Sequence, residues 1–260
     1  MTEENNASQV TDEANKKEES IKDSKKDKFI KEVKSLILIF IVVMGIRSSF
    51  YEPFHIPSGS MIPNLFIGDF VLVNKFSYGF KLPFSDYFTP VYLTNFDPPK
   101  KGDIIVFRYP EDMAISFIKR VIGVPGDEIE IVNKQVYING KAIMRDPLAV
   151  TDPNIDKDFR GTILKFYNSE IGEKKFVYQE TDEQRMVDNL PKFTVPADKF
   201  FCMGDNRDFS KDSRYWGFVP KENIRGKAMF VWFSFKNSLL DEVDPNTFKL
   251  QLFRIGTKLW

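Results

Sequence analysis

The chain has 260 residues, 42% of them hydrophobic and 28% charged, which suits one large globular domain or one domain carrying a sizeable insertion. Lys plus Arg and Asp plus Glu each number 37, so the basic excess that nucleic-acid binding demands is missing and no nucleic-acid partner is expected. A single cysteine, Cys202, excludes an intramolecular disulfide, and a single histidine, His55, leaves zinc without its usual ligands; neither metal nor cofactor is expected.

Residues 1–28 are polar and lack aromatics, which predicts a disordered tail. Lys25, Lys26, Lys28, Lys31 and Lys34 then lead into the apolar run Ser35–Ile46, closed by Arg47. The run is short for a span of about 20 residues. Its flanks lengthen it: Lys34 and Arg47 can snorkel, and Phe50, Tyr51 and Phe54 suit an aromatic belt. A buried core helix would show a polar face here, and a cleavable signal would carry small residues where Arg47 stands. The expectation is one transmembrane anchor over 29–50, with the Lys-rich tail in the cytoplasm and everything after residue 50 outside the cytoplasmic membrane.

Beyond the anchor the pattern predicts mostly antiparallel β structure. Strands are expected at 70–76, 103–109, 116–124, 128–132, 135–138, 175–179, 199–203, 228–235 and 247–254. Asn133-Lys134 and Asn139-Gly140 are turn signals, and Pro220–Ile224 suits a helical turn. Residues 129–197 are richer in charge and are expected to form an inserted or peripheral β subdomain. The main domain then comprises 51–128 and 198–260. The 26 Phe predict a large aromatic core, an apolar surface on lipid, or both.

Three segments can carry chemistry. In Pro57–Pro63 the Ser58-Gly59-Ser60 triplet would be a turn or linker fragment on its own, but two prolines and apolar residues bracket it. Serines two apart can present both hydroxyls to one side of an extended chain, one to attack a carbonyl and one to donate to the oxyanion. The nucleophile needs a base. His55 could reach Ser60 only across a tight reversal and reads as a surface residue. Lys119 lies in Ser116–Val124, where Phe117, Lys119 and Val121 share one strand face and Ile118, Arg120 and Ile122 the other. Apolar neighbours would lower its amine pKa; a lysine reaching water past the strand edge fits the same pattern equally well. Gly204–Gly217 is a turn-rich loop of mixed charge, in which Asp–Arg pairs can make the backbone rigid enough to orient a catalytic amine.

Together these segments resemble the signal peptidases of type I. Tyr51–Leu65 is similar to the family's nucleophile motif, continued by Gly68–Gly79. Lys101–Phe107 and Phe117–Asp127 resemble the next two motifs, and Gly204–Trp216 the last, all in family order. The resemblance implies a membrane-bound serine endopeptidase that removes signal peptides from exported preproteins after small residues, at Ala-x-Ala sites. It implies Ser60 as nucleophile, Lys119 as general base, and Ser58 with the Ser60 N–H as oxyanion hole. Ser210 would orient the lysine amine. Asp212 and Arg214 would form a supporting ion pair, with Asp205 nearby. Phe54, Ile56, Met61, Leu65, Phe117 and Ile118 would wall the pockets for substrate side chains. It also implies a catalytic β domain interrupted by a smaller one, an apolar surface resting on membrane lipid, and transient meetings with the translocation machinery. Two features depart from the family pattern. One candidate membrane segment is expected where some members have two, and Lys211 stands where a small residue is common. His55 is assigned no role.

Two other readings fit less well. A soluble Ser-Lys autoprotease regulator would need an Ala-Gly cleavage site and a helical DNA-binding pair, and neither occurs. A membrane-anchored binding module would not need Ser58, Ser60, Lys119 and Ser210 together.

Overall fold

The computed structural model describes residues 26, 28–45, 50–81, 92–95, 97–149, 163–237 and 248–259. The chain divides into two units, 1–47 and 48–260. Apart from Lys26 and Lys28, the tail expected at 1–28 lies outside the described residues, as do positions 46–49 of the expected anchor.

In the first unit, helix α1 spans 28–45. Its apolar side chains from Leu36 to Val43 are exposed all round, so it has no buried stripe. Lys28, Lys31, Glu32 and Lys34 charge its first turns. No helix among the described residues is long and apolar enough to cross a membrane.

The second unit is built from antiparallel strands. In chain order they are β1 (Tyr51–His55), β2 (Asp69–Asn74), β3 (Gly79–Lys81), β4 (Tyr92–Asn95), β5 (Ile104–Tyr109) and β6 (Asp112–Gly123). Next come β7 (Glu128–Val132), β8 (Gln135–Ile138), β9 (Lys141–Ala142), β10 (Asp146–Leu148), β11 (Leu164–Ile171), β12 (Lys174–Thr181) and β13 (Leu190–Thr194). The last are β14 (Lys199–Met203), the one-turn helix α2 (Ser213–Trp216), β15 (Val219–Pro220), β16 (Ile224–Asn237) and β17 (Phe248–Leu250). The main sheet runs β1-β2-β16-β5-β6-β14-β15, with β17 added to β16. The strands between residues 128 and 194 form two separate sheets, β13-β7-β8-β9 and β10-β11-β12.

The main sheet is covered on both faces, which explains its apolar runs. Along β5 and β6, Ile104, Val106 and Ile118 pack into one cluster with Met61 and Leu65. Ile105, Phe107 and Val121 pack into another with Phe200 and Cys202, and Phe117 leans on it. Successive side chains serve opposite faces, as strand geometry requires. The expected turns form as type I′-like reversals, with positive φ at Asn133 (47°) and Lys134 (67°), and at Asn139 (52°) and Gly140 (77°).

The differences from the expected strands have local causes. β1 forms despite Pro53 because it is an edge strand paired only with β2, where a missing N–H costs little. The strand expected over 247–254 stops at Leu250 and gives way to a 3-10 turn, Leu252–Arg254. There the Arg254 guanidinium turns inward to Asp69, at 2.5 Å. β11 was hidden because its sequence, LKFYNSEI, alternates only weakly.

Gly226 marks a tight crossing in the main sheet. A Cβ there would stand 2.5 Å from the Asn74 carbonyl oxygen and 2.9 Å from the Lys75 Cα. Backbone cannot yield as a side-chain tip can. Gly226→Ala is therefore expected to lower the unfolding free energy by about 1–3 kcal/mol in urea titration; a change within about 0.5 kcal/mol would contradict this account of the crossing.

Candidate active site

Ser60 is carried on the connection from β1 to β2. Ile56 and Gly68 close the base of this connection, with Ile56 N–H donating to the Asp69 carbonyl (2.8 Å) and Gly68 N–H to the Ile56 carbonyl (3.0 Å). Within it the N–H groups of Asn64 and Leu65 donate to the Met61 carbonyl, making a turn. Met61, Ile62 and Leu65 are fully buried, so this turn is anchored in the core and is no solvated linker.

Lys119 comes from β6, opposite Ile105 of β5. Its Nζ lies 2.6 Å from Ser60 Oγ and 3.0 Å from the Ile118 carbonyl oxygen. It also sits 5.2 Å from the Phe117 ring centre. Lys119 is 3% exposed and Ser60 7%. The amine therefore does not reach water past the strand edge. Burial lowers its pKa to about 8, against the opposing pull of Asp212, Cys202 and Asp205.

The loop after β14 supplies the rest. Gly204 passes so close that a Cβ would collide with Ser210 Oγ, Ser210 Cβ and the Ser60 carbonyl oxygen. Only glycine fits, and its absence of a side chain brings Ser210 beside the Ser60 backbone. The Ser210 hydroxyl is near enough to Asp212 to help keep that carboxylate ionised, yet its oxygen meets no hydrogen-bond geometry and is buried without a partner. It therefore makes no hydrogen bond to Lys119 in this state.

Asp212 accepts from the Gly204 N–H (2.9 Å) and from Arg214 Nε (2.8 Å) and Nη2 (2.9 Å). Burial pushes its pKa up, but the Arg214 charge and hydrogen bonds outweigh this and hold it low. The expected Asp212–Arg214 pair is thus formed, and it is two-pronged. Arg214 also donates to the Arg207 carbonyl.

Asp205 belongs to a second clamp that the sequence reading missed. Arg120, one residue after Lys119 and on the opposite strand face, donates from Nε (2.8 Å) and Nη2 (2.7 Å) to the Asp205 carboxylate. Both side chains are 1% exposed. A signal was available, since an arginine amid buried strand residues must find an acid partner. Asn64 Nδ2 adds a third bond to Asp205, at 2.7 Å.

Of the six residues expected to wall substrate pockets, Ile56, Met61, Leu65 and Ile118 join one buried cluster, with Phe54 half-buried against it. Phe117 faces the other way and stacks on Tyr109 at 4.6 Å. Ser58 is exposed, two residues before Ser60. His55 is exposed too, its ring against Phe70 and Phe235, and it makes no hydrogen bond to Ser60. Lys211 is exposed, 3.6 Å from Glu111 and over the Tyr109 ring. Among the described residues no His, Cys, Asp and Glu are grouped as a metal ion would need.

Residues 29–233 match the family model described as signal peptidase, peptidase S26. Signal peptidase I of Pseudomonas aeruginosa is 38% identical over 226 residues, covering 82% of this chain and 75% of the relative. Signal peptidase I of Buchnera aphidicola subsp. Schizaphis graminum is 40% identical over 243 residues, covering 80% of this chain and 76% of the relative. A crystal structure of a signal peptidase I from Enterococcus faecalis aligns with a TM-score of 0.31 at 28% identity, covering 51% of this chain and 98% of that one. The family match takes in the Ser60 turn, the Lys119 strand and the Gly204–Arg214 loop alike, and by it the chain belongs to the signal peptidase I family, peptidase S26.

Proposed function

We propose that this peptidase is a membrane-bound serine endopeptidase that cuts N-terminal signal peptides from exported preproteins after Ala-x-Ala type sites, with Ser60 as nucleophile and Lys119 as general base. The observation that carries the reading is the buried 2.6 Å contact between Lys119 Nζ and Ser60 Oγ. An amine with a pKa near 8 is neutral often enough at neutral pH to accept a proton. It takes the Ser60 hydroxyl proton as Oγ attacks the scissile carbonyl. The oxyanion is received by the Ser60 N–H and the Ser58 hydroxyl. The lysine ammonium then protonates the leaving amine, and water, activated by the same amine, releases the signal peptide from Ser60.

The substrate walls fit small side chains because the residues behind the Ser60 turn are already packed. Ile56, Met61, Leu65 and Ile118 are fully or nearly fully buried without a ligand, so a large side chain would have to displace core. Membrane attachment is supported by the exposed apolar side chains of α1 and by the exposed Trp232 of β16, Leu250 of β17, and Leu252 and Phe253 of the turn that follows. In this reading 29–50 anchor the chain in the cytoplasmic membrane, the tail lies in the cytoplasm, and the catalytic part (51–128 and 198–260, with 129–197 inserted) works on the outer face. The partners are preproteins, lipid and, transiently, the translocation machinery. Tethering keeps the enzyme where the signal's apolar core ends.

With full-length protein in lipid and a preprotein bearing an Ala-x-Ala site, Ser60→Ala and Lys119→Ala are expected to abolish cleavage and His55→Ala to retain it. An inert parent protein would favour the binding-module reading instead. In the parent, kcat/KM should fall about tenfold per pH unit below the Lys119 pKa and level off above pH 8. Stability moves with the same group. From about 8 to about 10.4 the unfolded chain holds the lysine proton and the folded chain does not, so the contribution of Lys119 to stability rises with pH across that window. Lys119→Met should therefore stabilise the protein by up to about 3 kcal/mol at pH 7, an advantage that vanishes above about pH 10.4. Chemical denaturation at the two pH values checks this, and an equal difference at both would contradict it.

A further inference from the structure

The insertion between residues 129 and 197 meets the Asp205–Asp208 segment through Lys134, whose Nζ lies 2.7 Å from Asp208, and along one strand. Strand β12 lies against the Asp205–Asp208 segment. The Gln179 N–H donates to the Asp205 carbonyl at 2.9 Å, and Gln179 and Asn206 form a parallel bridge. Thr181 donates to Asp208 from its N–H (2.7 Å) and its hydroxyl (2.9 Å). The Val177 carbonyl accepts from Asn64 Nδ2 at 2.6 Å.

Asn206 stands between this strand and the serine loop. It is completely buried, and the chain of bonds fixes which way its amide points. Its Oδ1 accepts from Gln179 Nε2 at 2.9 Å. Its Nδ2 donates to the Gly59 carbonyl oxygen, also at 2.9 Å; that carbonyl can only accept, so it sets the amide's sense, and Gln179, whose own Oε1 is buried without a partner, holds the other end. Its own N–H donates to the Ser60 carbonyl at 3.1 Å.

The Gly59 carbonyl and the Ser60 N–H belong to one peptide unit. In a planar trans peptide they point in opposite directions. Whatever holds the carbonyl therefore aims the N–H. Among the described residues the Ser60 N–H donates no hydrogen bond, so it is available to a developing oxyanion. Glycine is the residue that most readily lets the following peptide plane rotate. Holding its carbonyl removes that freedom.

We infer that Asn206, held by Gln179 of the inserted subdomain, is a positioning residue that locks the Gly59–Ser60 peptide so that the Ser60 N–H faces the oxyanion. The inference rests on the proposed Ser60 chemistry. It gives the insertion a part in catalysis: Gln179 is the insertion's contact with the reacting peptide, one side chain removed.

The test measures kcat, KM and the pH–rate profile of full-length protein in lipid for Asn206→Ala, Gln179→Ala and the double variant, with Ser60→Ala as control and thermal unfolding alongside. Loss of an oxyanion donor costs on the order of 100-fold or more in kcat. A donor left present but misaimed is expected to cost about 10- to 100-fold in Asn206→Ala, with KM and the pH midpoint held and rates compared well below the unfolding temperature, which the lost buried bonds lower. Gln179→Ala should lose less, and the double variant no more than Asn206→Ala, because Gln179 acts through Asn206. A kcat within about twofold of the parent overturns the inference, as does a loss that carries the pH midpoint or KM with it, since that would mean the loop as a whole had moved. Additive losses in the double variant also overturn it. If Asn206→Ala does not fold, Gln179→Ala decides by the same readouts. If Ser60→Ala cleaves as the parent does, the reading of Ser60 fails and not this inference alone.

Discussion

A lysine amine held out of water is the constraint on which the rest of this molecule turns. Ionised and unpaired in such a place, it would be costly, and the protein lets its pKa fall instead. Keeping it low requires that no nearby carboxylate capture its charge. Asp212 and Asp205 both lie close enough to raise its pKa, yet each is already engaged two-pronged by an arginine, Arg214 and Arg120 respectively. The two ion pairs thus do more than brace a loop. They occupy the carboxylates that would otherwise turn a base into a salt-bridged cation.

The geometry follows from the main sheet. β6 carries Lys119 and Arg120 on opposite faces, so one strand sends a base toward Ser60 and a clamp toward Asp205. β14 runs beside β6 and delivers the Gly204–Arg214 loop directly to both. The β1–β2 connection, pinned by Met61 and Leu65 in the core, brings the serine from the far side of the same sheet. These three segments lie far apart in sequence. The strand order of this sheet places them within hydrogen-bond reach of one another.

Much of this was legible before any coordinates. Alternation along Ser116–Val124 separated Lys119 from Arg120, and turn signals placed the β7–β8 and β8–β9 reversals. The motif order pointed to Ser60 and to the Asp212–Arg214 pair, while the expected hold of Ser210 on the Lys119 amine is not formed. What escaped was whatever depends on long-range partners. No local pattern says that Arg120 meets Asp205, since the two are 85 residues apart. Asn206 reads as one more turn former until β12 is seen to lie against it. The charge-rich insertion looked peripheral because composition reports solvent exposure on average, not the few buried contacts at its inner edge. The pattern also left open whether the Lys119 amine reaches water, because strand alternation fixes a face and not what covers it.

The most direct test is the titration of the lysine itself, separate from any rate. Full-length protein labelled with 13C at lysine Cε can be followed by NMR in lipid nanodiscs across pH, the Lys119 resonance being assigned by its loss in Lys119→Met. A midpoint near 8 is the result this account requires. A midpoint near the ordinary lysine value of about 10.4 would leave only about one amine in 2,500 neutral at pH 7, against about one in ten at a midpoint of 8, and would mean that Lys119 is not its base.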